Sequence, residues 1–227
     1  MKYGIILFDA DQTLFDFKKC EYQALSDSLC ELSLPNDKAY IDRYSEINDA
    51  LWKKLERGET EKSRLVIERF EIFCREFAFD CDVTVLSDLY RANLAKQAIL
   101  VDGAEELVKN LSKDHRLFII TNGVKKVQEG RLARSTIKDH FEKVFISEVV
   151  GYEKPKREFF DTVKAQIPDF DVKNAIVIGD SLTSDMRGGI DAGIDTCWYN
   201  PEGKAEPDGM PITYVIRDLN EIYEIVL

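Results

Sequence analysis

The sequence predicts an α/β chain, a mostly parallel sheet with a helical bundle inserted after its first strand. Three observations predict it. Short apolar runs recur and end in polar turn residues, as in "GIILF" before Asp9, "RLFIITNG", "VFIS" and "AIVIGDS". In the second half of the chain these runs alternate with helical segments, the pattern of βαβ units. Between residues 17 and 97 strand signal is scarce and apolar residues recur at helical spacing.

The first strand is residues 4–8, too short and too abruptly ended by Asp9 for a signal peptide. Leu25, Leu29 and Leu32 suggest the first inserted helix. Ile41, Tyr44, Ile47, Leu51 and Leu55 form one apolar stripe, and Leu65, Val66, Phe70, Phe73 and Phe77 form another. Between them lies "ERGET", where Gly58 can end one helix and Thr60 can cap the next. Leu86, Tyr90 and Leu94 suggest a fourth helix. The α/β part resumes with helices near 103–113, 124–136, 156–166 and 185–192, and with "TCWY" and "TYVI" as weaker strand candidates. The expected division is 1–16 and 98–227 for the α/β part and 17–97 for the bundle, with junctions near Asp16–Lys18 and Gln97–Asp102.

Composition narrows the function. Hydrophobic residues make up 44% and charged residues 32% of 227, enough for a sizeable core. A net charge of -11 disfavours binding to nucleic acid or to an anionic membrane surface. No segment approaches the ~20 apolar residues of a membrane span. Five cysteines without C-x-x-C spacing read as reduced thiols of a cytoplasmic protein. Two histidines, His115 and His140, argue against a His-rich zinc site.

In an open parallel sheet, ligands bind outside the carboxyl ends of the strands. There this sequence places Asp9, Asp11 and Thr13 after the first strand, Thr121-Asn122-Gly123 after "FIIT", and Asp180 with Asp185 after "AIVIG". Lys154 lies in the "GYEKPKREFF" segment between the last two. Singly, each is also ordinary turn, cap or solvated-loop chemistry. Asp9 and Asp11 together repel, and burying them needs a positive partner or a metal.

Taken in order, "DADQT", "ITNG", the lysine of "EKP" and "GDSLTSD" resemble the four motifs of the haloacid dehalogenase-like hydrolase superfamily. The resemblance spans nearly the whole chain. It implies a Rossmann-like parallel sheet core and an inserted helical cap. One place departs from the D-x-D-x-T motif, which often has Gly fourth, where this chain has Gln12. The resemblance further implies a Mg²⁺ site using the carboxylates of Asp9 and Asp180, the backbone carbonyl of Asp11, and Asp185 directly or through water. By the same resemblance Asp9 is the nucleophile that forms an aspartyl-phosphate, and Asp11 the general acid and then base. Thr121 and the Asn122 amide hold phosphate oxygens, Lys154 offsets the charge of Asp9 and phosphate, and Thr13 orients the first loop and joins the phosphate-binding set. True dehalogenases of this fold lack an acid at the place of Asp11, because a halide leaves without a proton. An acid there therefore favours phosphate-ester hydrolysis.

The cap is the expected seat of selectivity, with Trp52, Lys54 and Arg57 as candidate substrate residues. Trp52 could stack on a base, although a tryptophan on an amphipathic helix is more often core. Three further stretches, "LWKKLERGE", "ISEVVGYEKP" and "GGIDAGIDTCWYN", resemble bacterial pyrimidine 5'-nucleotidases that act on non-canonical nucleotides. This implies nucleoside monophosphate substrates, particularly of uridine and thymidine type. The alternatives are a broad or sugar-phosphate phosphatase with the same site, and a silent binding module.

Overall fold

Apolar runs with no polar face need cover on both sides, and the strands of this chain receive it in one sheet. The computed structural model describes residues 2–226. In chain order its elements are β1 (Ile5–Phe8), α1 (Phe17–Glu31), α2 (Lys38–Glu56), α3 (Lys62–Phe77), α4 (Val83–Leu94), α5 (Ala104–Leu111), β2 (Arg116–Thr121), α6 (Lys125–Arg134), β3 (Lys143–Ile146), α7 (Ser147–Val150), α8 (Arg157–Gln166), β4 (Ala175–Gly179), α9 (Arg187–Asp191), β5 (Asp195–Tyr199), β6 (Tyr214–Ile216) and α10 (Ile222–Val226). Contacts divide the chain into two units. One comprises the chain up to Asp16, Leu100–Lys125 and the chain from Ser135 onward. The other comprises Phe17–Ile99 and Lys126–Arg134.

In the first unit the described strands form a six-stranded sheet in the order β3-β2-β1-β4-β5-β6, with every neighbouring pair parallel. This is the order of a doubly wound α/β sheet, with the switch in winding direction beside β1. The weaker strand candidates, "TCWY" and "TYVI", are its β5 and β6. β1 and β4 are buried at every position. Leu7, Phe118, Phe145, Phe159, Val177 and Trp198 belong to the core on one face. Each such side chain contributes about 1.5–3 kcal/mol on burial.

The second unit is helical. The two stripes read from the sequence are the buried faces of α2 and α3, with Tyr44, Phe70 and Phe73 fully buried. Tyr44 stacks on Phe70 at 4.9 Å between ring centroids and meets Tyr90 of α4 at 5.4 Å. Gly58 follows the end of α2 at φ 73°, a left-handed conformation that glycine adopts without steric cost. Thr60 does not cap α3. The helix begins at Lys62 with Glu61 in extended backbone at the cap position and no side-chain cap bond, so Thr60 sits one residue too early. Residues 126–134 of α6 group with this unit because Arg131 Nε donates to the Gln97 carbonyl at 3.1 Å. Gly130 also lies so near Ala95 that a Cβ would come within 2.8 Å of its carbonyl oxygen.

Candidate active site

β1 lies between β2 and β4, so residues after these three strands share one edge of the first unit. The Asp9 N–H donates to the Ile178 carbonyl of β4 at 2.8 Å and extends the ladder one residue past β1. The chain then makes a tight loop. Gln12 N–H donates to Phe15 O at 2.8 Å and Phe15 N–H to Ala10 O at 2.8 Å. That turn holds Gln12 at φ 63°, the left-handed region in which a non-glycine residue is strained. This explains why glycine is frequent at that motif position.

Lys154 is buried and has all three ammonium donors engaged. They reach Asp9 Oδ1 at 2.6 Å, Asp185 Oδ1 at 2.6 Å and the Ile120 carbonyl of β2 at 2.8 Å. Asn122 fixes the lysine's backbone, accepting from Lys154 N–H at 2.8 Å and donating to its carbonyl at 2.9 Å. Both polar atoms of the Asn122 side chain thus serve Lys154. Thr121 is buried, and its Oγ1 accepts from Gly123 N–H at 3.0 Å. Thr13 is buried too, and its hydroxyl has no hydrogen-bond partner among the described residues.

After β4 the chain enters a π-helical turn, Leu182–Met186, opened by Ser181, whose hydroxyl accepts from Ser184 N–H. The turn brings Asp185 back so that its Oδ2 accepts from Ser181 N–H at 3.2 Å. Gly179 makes room for it, since a Cβ there would come within 2.3 Å of Asp185 Oδ2. Asp180 is half-buried, and its carbonyl accepts from the Trp198 indole N–H at 2.9 Å. In the sequence Trp198 shows only as part of a strand. The signal for its second part is the indole N–H itself, because a buried tryptophan needs an acceptor.

One carboxylate oxygen from each of Asp9, Asp180 and Asp185 lies within 4.8 Å of the other two. Burial pushes the Asp9 carboxyl up to about 8; Lys154 pulls it down, while Asp185 and Asp11 add to the rise. Burial works to lower the Lys154 pKa, but Asp185 and Asp9 outweigh it and hold that pKa above the ordinary lysine value. Two carboxyl groups therefore meet one ammonium, the Asp180 carboxylate lies beside them, and Asp11 is near enough to act on Asp9. The donors are all oxygen, with no thiolate or imidazole, a set that suits a hard cation such as Mg²⁺.

The structure brings together Asp9, Lys154, Asp180 and Asp185, with Asp11, Thr13, Thr121 and Asn122 on the adjoining strand ends. Trp52, Lys54 and Arg57 belong to the helical unit. Trp52 is half-buried in α2, Lys54 is exposed, and Arg57, just past the helix, pairs with Glu59 at 2.5 Å. Among the described residues no helix is long and apolar enough to cross a membrane.

Several known proteins are similar to this chain over nearly its full length. Pyrimidine 5'-nucleotidase PynA of Streptococcus pneumoniae is 41% identical over 99% of this chain and 95% of its own. Pyrimidine 5'-nucleotidase YjjG of Escherichia coli is 30% identical over 100% of this chain and 99% of its own. The magnesium-bound crystal structure of the HAD-hydrolase YfnB from Bacillus subtilis superposes with a TM-score of 0.95 at 37% identity, covering 100% of this chain and 99% of that one. The family model for haloacid dehalogenase-like hydrolases matches residues 6–199, a span from β1 to the end of β5 that holds every group of the acid–lysine cluster. On fold, site and sequence together, this chain belongs to the haloacid dehalogenase-like hydrolase family.

Proposed function

We propose that this chain is a cytoplasmic, Mg²⁺-dependent phosphoric monoester hydrolase that acts on pyrimidine nucleoside 5'-monophosphates through an aspartyl-phosphate on Asp9. The observation that carries the phosphatase reading is the buried Asp9–Lys154–Asp185 cluster at the sheet's switch point, with a second acid, Asp11, two residues from Asp9. The pyrimidine preference rests on the relatives, two of which are named pyrimidine 5'-nucleotidases.

Asp9 attacks phosphorus with a carboxylate oxygen. The bond from phosphorus to the ester oxygen breaks, and Asp11 gives that oxygen its proton. Asp11, now a carboxylate, takes a proton from water, which attacks the phosphorylated Asp9 and releases phosphate. Lys154 stays charged throughout and lies against Asp9, so it offsets negative charge where charge shifts. Thr121 and the Asn122 backbone N–H are assigned to phosphate oxygens, and the Thr13 hydroxyl is held for the same loop. Asp9, Asp180 and Asp185, with the Asp11 carbonyl, would hold Mg²⁺, which when bound neutralises these carboxylates and a phosphate oxygen. Trp52, Lys54 and Arg57 of the helical segment 17–97 are the proposed nucleoside-reading residues.

The test is phosphate release from uridine, thymidine and purine monophosphates and from sugar phosphates, with Mg²⁺ or with excess chelator. Wild type is expected to prefer the pyrimidine esters and to stop on chelation. Asp9→Asn is expected to be inactive with an unchanged circular dichroism spectrum. Appreciable turnover by Asp9→Asn, or an unchanged rate in chelator, sinks the mechanism. Equal rates on sugar phosphates leave a general phosphatase, and no release from any ester leaves a binding module.

A further inference from the structure

We propose that Cys74 and Cys81 form a reversible disulfide, a redox modification site in the helical unit that is separate from the acid–lysine cluster. Their sulfurs lie 3.4 Å apart. A disulfide needs about 2.05 Å, so the gap closes by roughly 1.3 Å, within reach of small side-chain rotations.

The local fold sets this approach. Cys74 lies in the last turn of α3 and is buried. The helix ends at Ala78 in left-handed backbone, φ 52°, and Phe79 N–H donates back to the Cys74 carbonyl at 2.9 Å. Phe79 is packed against Tyr40, Phe73 and Phe77, with ring centroids 5.4, 5.5 and 5.8 Å away. Asp82 then caps α4 by accepting from Thr84 and Val85 N–H. The return segment is thus fixed at both ends and at its middle, and Cys81 is held over Cys74. Neither sulfur is in a disulfide, so both are available for oxidation.

The two sulfurs differ in accessibility, which sets the order of stepwise oxidation. Cys74 is the inner one, and burial together with its contact to Cys81 pushes its thiol up to about 12. Cys81 is the more accessible of the two and meets the oxidant first. With hydrogen peroxide, the Cys81 thiol gives up its proton and its sulfur attacks oxygen, an S–O bond forms as O–O breaks, and the leaving hydroxide takes that proton, so the sulfenic acid and water result. Cys74 then attacks the Cys81 sulfur, and the hydroxyl leaves as water with the Cys74 proton. In balance, two thiols and one peroxide give one disulfide and two waters. A dithiol reductant reverses it by exchange. The product would tie the end of α3 to the start of α4.

The test uses the full chain with Cys30→Ser, which removes the one exposed cysteine and its intermolecular disulfides. Limited peroxide is expected to lower the titratable thiols from four to two, with a Cys74–Cys81 cross-linked peptide in the non-reducing digest. Dithiothreitol is expected to restore all four. Adding Cys81→Ser is expected to leave the remaining three thiols intact under the same exposure. Four thiols surviving, or Cys81 proceeding to the sulfinic acid with Cys74 still reduced, overturns the proposal. If the variants fold poorly, peptide mapping of the oxidised wild type distinguishes the same outcomes, since the cross-linked peptide is either present or absent.

Discussion

Glu21 should make the helical unit less stable as pH rises. It sits in α1 with 2% of its surface exposed. Its carboxyl accepts from Ser45 Oγ and from Asn48 Nδ2, and Asn48 Oδ1 in turn accepts from Arg69. Burial pushes Glu21 up to about 7, with Asp49 adding to the rise and Ser45, Arg69 and Asn48 opposing it. The folded chain therefore holds this proton more tightly than the unfolded chain. Below pH 4.5 both states are protonated and nothing is lost. Between 4.5 and about 7 only the unfolded state ionises, and stability falls. Above that range the full deficit remains. The gap from 4.5 to about 7, at ~1.4 kcal/mol per pH unit, is roughly 3 kcal/mol.

Glu21→Gln isolates this effect. Glutamine keeps the shape, accepts from Asn48 and turns its amide donor toward Ser45. Compared with wild type, it should be within about 1 kcal/mol at about pH 5 and more stable by roughly 3 kcal/mol at about pH 8. Hydrogen exchange of the full chain, read on α1 and α2 amides, reports opening of this unit apart from the sheet. A variant less stable than wild type by the same amount at both pH values would refute the reasoning. It would mean that Glu21 is ionised throughout and that its hydrogen bonds and the field of Arg69 outweigh desolvation.

Lys154→Met strips Asp9 and Asp185 of their buried cation, and metal-free protein should lose about 3–5 kcal/mol in urea unfolding; a loss under about 1 kcal/mol would show that the carboxyls neutralise themselves by protonation. Gly179→Ala drives a Cβ to 2.3 Å from Asp185 Oδ2, so Mg²⁺ affinity measured by calorimetry should weaken about 10–100-fold, and unchanged affinity removes Asp185 from the metal's surroundings. At Gln12, φ 63° admits glycine freely and a β-branched side chain poorly; Gln12→Gly should stay within about 1 kcal/mol of wild type while Gln12→Val loses more, and equal stability of the two variants refutes strain at this turn.

Much of this is legible in the sequence because burial and punctuation leave marks there. "GIILF" and "AIVIG" have no polar face, so they read as sheet interior, and each ends in the acid that the site uses. Gly58 reads as a helix stop because left-handed backbone favours glycine. Glu21 leaves no such mark, although it lies four residues before Leu25 on a buried face of α1. Charged residues on helices are usually solvated, and only tertiary contacts with Ser45 and Asn48 reveal the exception. The π-helical turn at Leu182–Met186 is invisible for a related reason. Its shape depends on Asp185 reaching back to Ser181 N–H, an interaction without a periodic signature. The packing of residues 126–134 with the helical unit likewise rests on tertiary contacts, with Arg131 reaching the Gln97 carbonyl and Gly130 lying against Ala95.

The site itself is legible as four fragments, and the sheet order turns them into one cluster. Lys154 meets Asp9 from 145 residues away, Ile120 from 34 and Asp185 from 31. These acceptors follow or end β1, β2 and β4, which are adjacent only because β1 lies between the other two. In any order that separated β1 from either neighbour, the ammonium would lose an acceptor and remain buried, and a buried ammonium with an unpaired donor is costly. The lysine therefore acts on two levels. It favours the strand order that assembles the acids, and it keeps a positive charge against Asp9, the group that burial and neighbouring carboxyls push toward its protonated form. A substitution that spared the fold but moved this ammonium by one hydrogen-bond length would remove the attraction that opposes this rise and push the Asp9 carboxyl further toward the protonated form, which cannot act as a nucleophile.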